Sequence, residues 1–377
     1  MDAFWLAYGT EWLSLLTRWL HLITGIAWIG ASFYFVWLDN SIRPPAPGSE
    51  LAQKGVSGEL WAVHGGGFYH PQKYLLAPAT LPPILHWFKW EAYATWLSGV
   101  ALLILVYYVN AASMMVDASV APISSAQAIG TGVASLVVAW AVYDGLCRTA
   151  LVQHQALFGA LILLLLTGAA WVLSQWLSAR AAYLHVGAMI GTMMVGNVLM
   201  VIIPGQKKMV SAMRAGQTPD PIYGQCGKQR SVHNNYFTLP VLFIMISNHY
   251  AMTYQHAHSW AVLGVIMTAG VLIRHFFNLR HRGRTDWRFP LAGLFMLGGL
   301  AVAIAPTPSS PSRTQANQAR TGASLATFTD VEQIIARRCV ACHAAHPTQP
   351  GFAVAPAGIL LDRPELIHRY GARIIQQ

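Results

Sequence analysis

Trp12-Leu13-Ser14-Leu15-Leu16-Thr17-Arg18-Trp19-Leu20-His21-Leu22-Ile23-Thr24-Gly25-Ile26-Ala27-Trp28-Ile29 opens an apolar run that continues to Leu38 with Arg18 as its one charge. About 20 residues of helix, rising 1.5 Å each, cross the roughly 30 Å hydrocarbon core of a bilayer, so this run is long enough to span. Further runs follow at Trp90 to Val109, Ala126 to Val142, Leu151 to Leu177, Ala182 to Ile203, Phe237 to Tyr254, Trp260 to Phe277 and Phe289 to Ile304. Composition agrees: 55% of the 377 residues are hydrophobic, 10% are charged and the mean hydropathy is +0.43. A soluble domain carries about 25% charged residues, and a disordered chain few apolar ones. The reading is an all-α membrane protein built as an eight-helix transmembrane bundle. The third and eighth runs are short and Pro290 stands at the start of the eighth, which leaves seven spans or a re-entrant segment as the alternative. No basic residue precedes the first run, so no cleavable signal is expected.

Lys and Arg resist translocation, so their distribution over alternate connections orients the bundle. One set holds Arg43, Lys54, Lys73, Lys89, Arg148, Lys207, Lys208, Arg214, Lys228, Arg230, Arg280, Arg282, Arg284 and Arg288; the other holds Arg180. Both termini are therefore expected outside the cytoplasm, and the asymmetry requires an even number of spans. The formal charge of +10 is a topology signal, and no nucleic-acid partner is expected. Trp5, Trp12, Trp19 and Trp260 read as interfacial anchors.

After Ile304 the chain turns to Pro, Ser, Thr, Gln and Ala, which reads as a flexible linker over residues 305–327. Residues 328–377 form a second domain with Cys339-Val340-Ala341-Cys342-His343, the attachment signature of heme c: two thiols for thioethers and a His for the iron. Zinc would want a second ligand pair, and a thioredoxin-type site a strand-helix context; neither is visible. All 13 Met lie at or before Met296, so no Met follows to complete the coordination. Either the tail is a truncated, partial class I-like cytochrome c domain, or His346 or His368 substitutes. The tail is not expected to pack as a complete domain.

Ionisable residues inside spans are costly and ask for a reason. His21, His185 and His249 lie in the outer half of their runs and are candidate axial ligands of a heme b, His185 being followed by Gly187, Gly191 and Gly196, which admit close approach of a helix or a macrocycle. The competing reading is a hydrogen bond from each His to a neighbouring helix. Met189, Met193 and Met194 read as packing, and Cys147 and Cys226 as plain thiols. On the basic side stand His64-Gly65-Gly66-Gly67-Phe68-Tyr69-His70 and Arg230-Ser231-Val232-His233-Asn234-Asn235-Tyr236. Their glycines let N–H groups converge on an anion, and their His, Asn and Tyr suit a planar heterocycle; tight turns capping helices are the alternative.

Trp19 to Phe33, the His64-Gly-Gly-Gly-Phe-Tyr loop, Ile203-Pro204-Gly205-Gln206-Lys207-Lys208, the segment from His233-Asn234-Asn235-Tyr236 to Asn248-His249-Tyr250 and the heme c motif together resemble the bacterial membrane-bound urate oxidases, over residues 1 to about 345. The first helix alone is similar to those of other heme-type membrane bundles. The resemblance implies that residues 1–304 form a heme-binding, urate-oxidising domain of the bacterial inner membrane. Urate plus water would give 5-hydroxyisourate without peroxide, and electrons would leave through the C-terminal heme c to a respiratory-chain acceptor such as a soluble cytochrome c or a terminal oxidase. It implies His64, His233, Asn234 and Tyr236 as catalytic and Gly65, Gly66, Gly67, Asn235 and Lys207 as substrate-binding. Heme b, one or two, would be held by His21, His185 and His249, with His86, His154 or His233 as inner ligands of a second; a urate pocket sunk into the bundle is the other option. Urate and membrane lipid are the expected contacts. Rival readings are a heme b enzyme acting on a porphyrinogen or quinol, and an electron conduit without chemistry of its own.

Overall fold

The computed structural model describes residues 3–305, 327–349, 355 and 358–375. It divides into a larger unit, Leu20–Ile304, and a smaller one of Met1–Trp19 with Ala305–Gln377. Residues 306–326, most of the expected linker, and the side chain of Trp5 lie outside the described residues.

Helix α1 runs Ala3–Ser41, and the short α2 Glu50–Gln53 follows it. Next come α3 Trp90–Leu102 with a π-helical continuation Leu103–Tyr108, α4 Ala111–Met114, α5 Ser125–Cys147 and α6 Gln155–Ser174. Then come α7 Ala179–Gly196, a π-helical segment Asn197–Ile202, α8 Ile203–Arg214, α9 Pro221–Ser247, α10 Ala251–Tyr254, α11 Ser259–His281 and α12 Arg288–Ala303. Starts are written in the sequence. Ser124 caps α5 in a reciprocal pair with Gln127, Ser178 caps α7, and Asp220 caps α9 ahead of Pro221.

Among the described residues, six helices are long and apolar enough to cross a membrane: Tyr8–Ser41, Trp90–Tyr108, Ser125–Cys147, Gln155–Ser174, Ala179–Arg214 and Ser259–His281. The expected sixth and eighth spans differ. Phe237 to Tyr254 is the second half of α9, a turn at residues 248–250, and α10; the first half of α9 carries Lys228, Arg230 and His233. Helix α12 has 16 residues. The polar stretch over residues 204–235 is mostly helix. Pro204 does not end its helix because the preceding turns widen to the π form, relieving the clash and the lost N–H that Pro imposes on the ladder. The all-α expectation is also amended. Strands β1 Val56–Glu59 and β4 Gln72–Tyr74 pair antiparallel, as do β2 Ala62–His64 and β3 Gly67–Tyr69.

The larger unit is built around α7, which packs against α5, α6 and α9, with α11 against α6, α9 and α12. Lipid tails are as apolar as Leu, so close packing and polar contacts hold such helices together. Gly187 receives Ile244 of α9 and Gly196 receives Trp140 of α5, each at a separation that leaves no room for a Cβ. Outward-facing apolar side chains such as Val137 and Leu164 are exposed.

In the smaller unit, α13 Phe328–Arg338 and α14 Pro364–Ile375 close a core of Ile335, Leu361 and Ile367, with Phe328, Cys339, Val340, Ile359, Tyr370 and Ile374 around it. The described part of the tail thus holds a small apolar core of three buried residues.

Candidate functional site

Helix α9 carries the polar stretch Arg230 to Tyr236, and the helical twist of about 100° per residue sends its side chains to different neighbours. Toward α5 and α7, Arg230 Nη2 donates to Asp144 Oδ1 at 2.7 Å and Nη1 to Asn197 Oδ1 at 3.0 Å. Guanidinium is donor-only, so the Asn197 oxygen must face it, and its Nδ2 donates to Tyr143 OH at 2.9 Å and Asn234 Oδ1 at 2.8 Å. Asn234 in turn donates to Met194 O at 3.0 Å. With its oxygen accepting from Asn197, Tyr143 directs its proton to His233 Nδ1, 2.8 Å away, which leaves the proton of neutral His233 on Nε2. The His233 ring stacks on Phe158 at 4.8 Å. Asn197, which joins the network, opens the π segment.

Toward α11, Asn235 Oδ1 accepts from Arg274 Nε at 3.1 Å and Asn278 Nδ2 at 2.8 Å, while Tyr236 OH and His275 Nδ1 lie 2.7 Å apart. The Arg274 guanidinium sits 3.8 Å over the Phe33 ring of α1. The inner end of α1 is tied down by polar contacts: Asp39 pairs with Lys73 and Lys228, and Arg282 donates to Asn40 Oδ1 at 2.8 Å. Burial, with the neighbouring Lys228 ammonium, lowers the pKa of Lys73.

The glycine loop stands apart from these clusters. Gly65 and Gly66 have φ of 57° and 80°, the two positive values a tight hairpin turn between β2 and β3 requires. His64, Gly65 and Gly66 are exposed and Gly67 half-buried; among the described residues no hydrogen bond or ring contact joins His64 to His233. Lys207 on α8 is exposed as well.

The three histidines expected to hold heme b do not form a ligand pair. His185 Nδ1 donates to Ala181 O at 2.8 Å, while Nε2 abuts the bare face of Gly132, where the iron would have to sit. His21 Nδ1 meets Thr95 O at 3.0 Å and Ser98 Oγ at 3.1 Å, and its ring lies against Gly99. His249 is exposed in the turn after α9, outside any helix. Of the glycines after His185, Gly187 and Gly196 receive side chains of neighbouring helices, while nothing lies within 4 Å of a Cβ at Gly191. His86 and His154 are exposed. These residues do not fit a bis-imidazole heme as they stand.

The heme c motif does fit. Cys339 caps α13 and Cys342 follows in the same turn, both half-buried. His343 Nδ1 donates to Ile359 O at 2.9 Å, which fixes the ring and leaves Nε2 for an iron. Burial and the nearby Cys339 raise the pKa of the Cys342 thiol. His346 is exposed, and His368 stacks on Phe328 at 4.0 Å.

Residues 7–305 match the family described as Urate oxidase N-terminal. The chain belongs to that family. No curated protein and no solved structure matches it. Membership in the urate oxidase family points to an oxidoreductase acting on urate, and the matched residues include both faces of α9, whereas the Cys-X-X-Cys-His segment lies beyond them. Of the residues read from sequence, His233 and Asn234 share one cluster, Asn235 and Tyr236 face another, and the His64 loop joins neither. Sequence reading missed Tyr143, Asp144, Asn197, Arg274, His275 and Asn278. A signal for part of this set existed: Arg274, Asn278 and His281 recur at i, i+4 and i+7 at the end of an apolar run, one polar stripe on one helix face.

Proposed function

We propose that this chain oxidises urate in the polar layer around α9 and delivers the electrons to a heme c bound through Cys339 and Cys342, with His343 as axial ligand. Family membership over residues 7–305 carries the reading, because it joins a urate-type domain to a heme-attachment motif in one chain. In the net reaction the oxygen of one water becomes bonded to C5 of the purine, two protons and two electrons leave, and 5-hydroxyisourate forms without peroxide. The heme supplies a one-electron acceptor, so each turnover needs two successive transfers.

Two Tyr–His pairs flank α9. The proton between Tyr143 and His233 has a fixed direction, set by Arg230 through Asn197, so His233 offers an Nε2–H donor. Among the described residues no hydrogen bond from a donor-only group fixes the proton between Tyr236 and His275, so that pair accepts and returns a proton as the purine reacts. The larger unit resides in the bacterial inner membrane with eight passes, α9 and α12 completing the six apolar helices, and both termini outside. The Lys and Arg asymmetry supports this orientation even with the buried Arg230 set aside.

Anaerobic addition of urate to the purified, air-oxidised full chain tests the reading: the heme α band should rise with urate and with neither porphyrinogen nor quinol. Reduction by one of those instead would move the substrate, and reduction by none would leave an electron conduit. Heavy-oxygen-labelled water should label the product.

A further inference from the structure

Six buried side-chain atoms among the described residues have no hydrogen-bond partner, and four of them converge where α9 faces α11: Asn235 Nδ2, Arg274 Nη2, Asn278 Oδ1 and His281 Nδ1. Arg274, Asn278 and His281 stand at i, i+4 and i+7 on α11, so their side chains share one face. Asn235 is 0%, Arg274 5% and Asn278 7% exposed. Buried polar atoms are normally satisfied, and a cluster of exceptions asks for a ligand. Charge makes the same demand. Arg274 forms no ion pair among the described residues, in contrast to Arg230 with Asp144, and a buried guanidinium without a counter-ion is strongly destabilising.

We infer that this cluster is the site where the substrate anion binds, an assignment that rests on the reading of the chain as a urate oxidoreductase. The free atoms define the ligand. Arg274 Nη2 and Asn235 Nδ2 are donors and Asn278 Oδ1 is an acceptor, so the partner must present C=O and N–H groups on one rigid edge and carry negative charge. A purine monoanion with a cyclic ureide edge, such as urate, meets all three conditions, whereas chloride offers no donor to Asn278. Tyr236 and His275 pair across the same α9–α11 contact. Phe33 of α1 covers the guanidinium at 3.8 Å, and the most apolar stretch of α1 has no buried side chains.

The experiment measures urate binding and melting temperature on the full chain, anaerobic and with its heme chemically reduced so that no turnover occurs. Wild type should bind urate and be stabilised by it. Arg274→Gln, and independently Asn278→Asp, which supplies an internal counter-charge, should each weaken urate binding roughly 100-fold while the ligand-free melting temperature stays equal or rises. A purely structural role predicts the reverse: a lower melting temperature with binding retained. Either variant folded and binding urate within about threefold of wild type would overturn the assignment. Failure of both variants to fold would make the cluster structural and overturn it too. If the wild type is reduced by urate but the variants bind normally, this inference alone fails; if urate neither binds nor reduces the wild type, the substrate reading fails with it.

Discussion

Arg230 and Arg274 are both buried arginines that hydrogen-bond to an asparagine, one on the α5 and α7 side of α9 and the other on the α11 side. Around Arg230, a carboxylate, two asparagines, a tyrosine and a histidine form a chain in which every proton has one direction, and Arg230 Nε is the atom left over. Around Arg274, asparagines, a tyrosine and histidines leave four atoms over, and among the described residues no carboxylate pairs with it. A closed network rigidifies a bundle, because each member would lose a partner if any moved. An open one stores binding capacity. One face of α9 thus has its polar groups closed by its neighbours, and the other leaves polar atoms unpaired.

The largest effect expected from breaking this contrast is at Arg230. Arg230→Met should lower unfolding stability by about 3–5 kcal/mol in detergent, because Asp144 and Asn197 lose their donor inside the bundle. A loss of the same size from Arg274→Gln would erase the distinction between the faces. Next, Tyr143→Phe should cost about 1–3 kcal/mol, since His233 Nδ1 loses its buried donor. Tyr236→Phe should cost less in stability, because its partner His275 is half-exposed and water can replace the hydroxyl, while urate turnover falls more than with Tyr143→Phe. The smallest effect is away from both faces. Gly66→Ala, at φ of 80°, should loosen the β2–β3 hairpin by about 1 kcal/mol, read as faster amide exchange in residues 62–69 with the bundle's melting unchanged.

Most helices were legible because their signals are local. Apolar runs mark α1, α3, α5, α6, α7 and α11, and Ser124, Ser178 and Asp220 announce three of the starts. Pro204 misled, since a Pro after an apolar run reads as an end unless the turns before it are known to widen. The site was half legible. The stretch from His233 to Tyr236 stood out by its polar density, but consecutive helix residues point in different directions, so their grouping into one constellation did not survive folding. The His64 loop drew notice for its glycines, and the hairpin turn accounts for them.

Composition and residue spacing determined on their own that the chain is mostly helical, has helices long and apolar enough to cross a membrane and carries a Cys-X-X-Cys-His segment after them, because transfer energies depend on residue type and run length. Which histidines pack against glycine and which bond tyrosine, and which arginine has a carboxylate and which has none, only the tertiary structure decided. Those are distances between residues far apart in the chain, such as Asp144 and Arg230 or Phe33 and Arg274, and no local pattern encodes them.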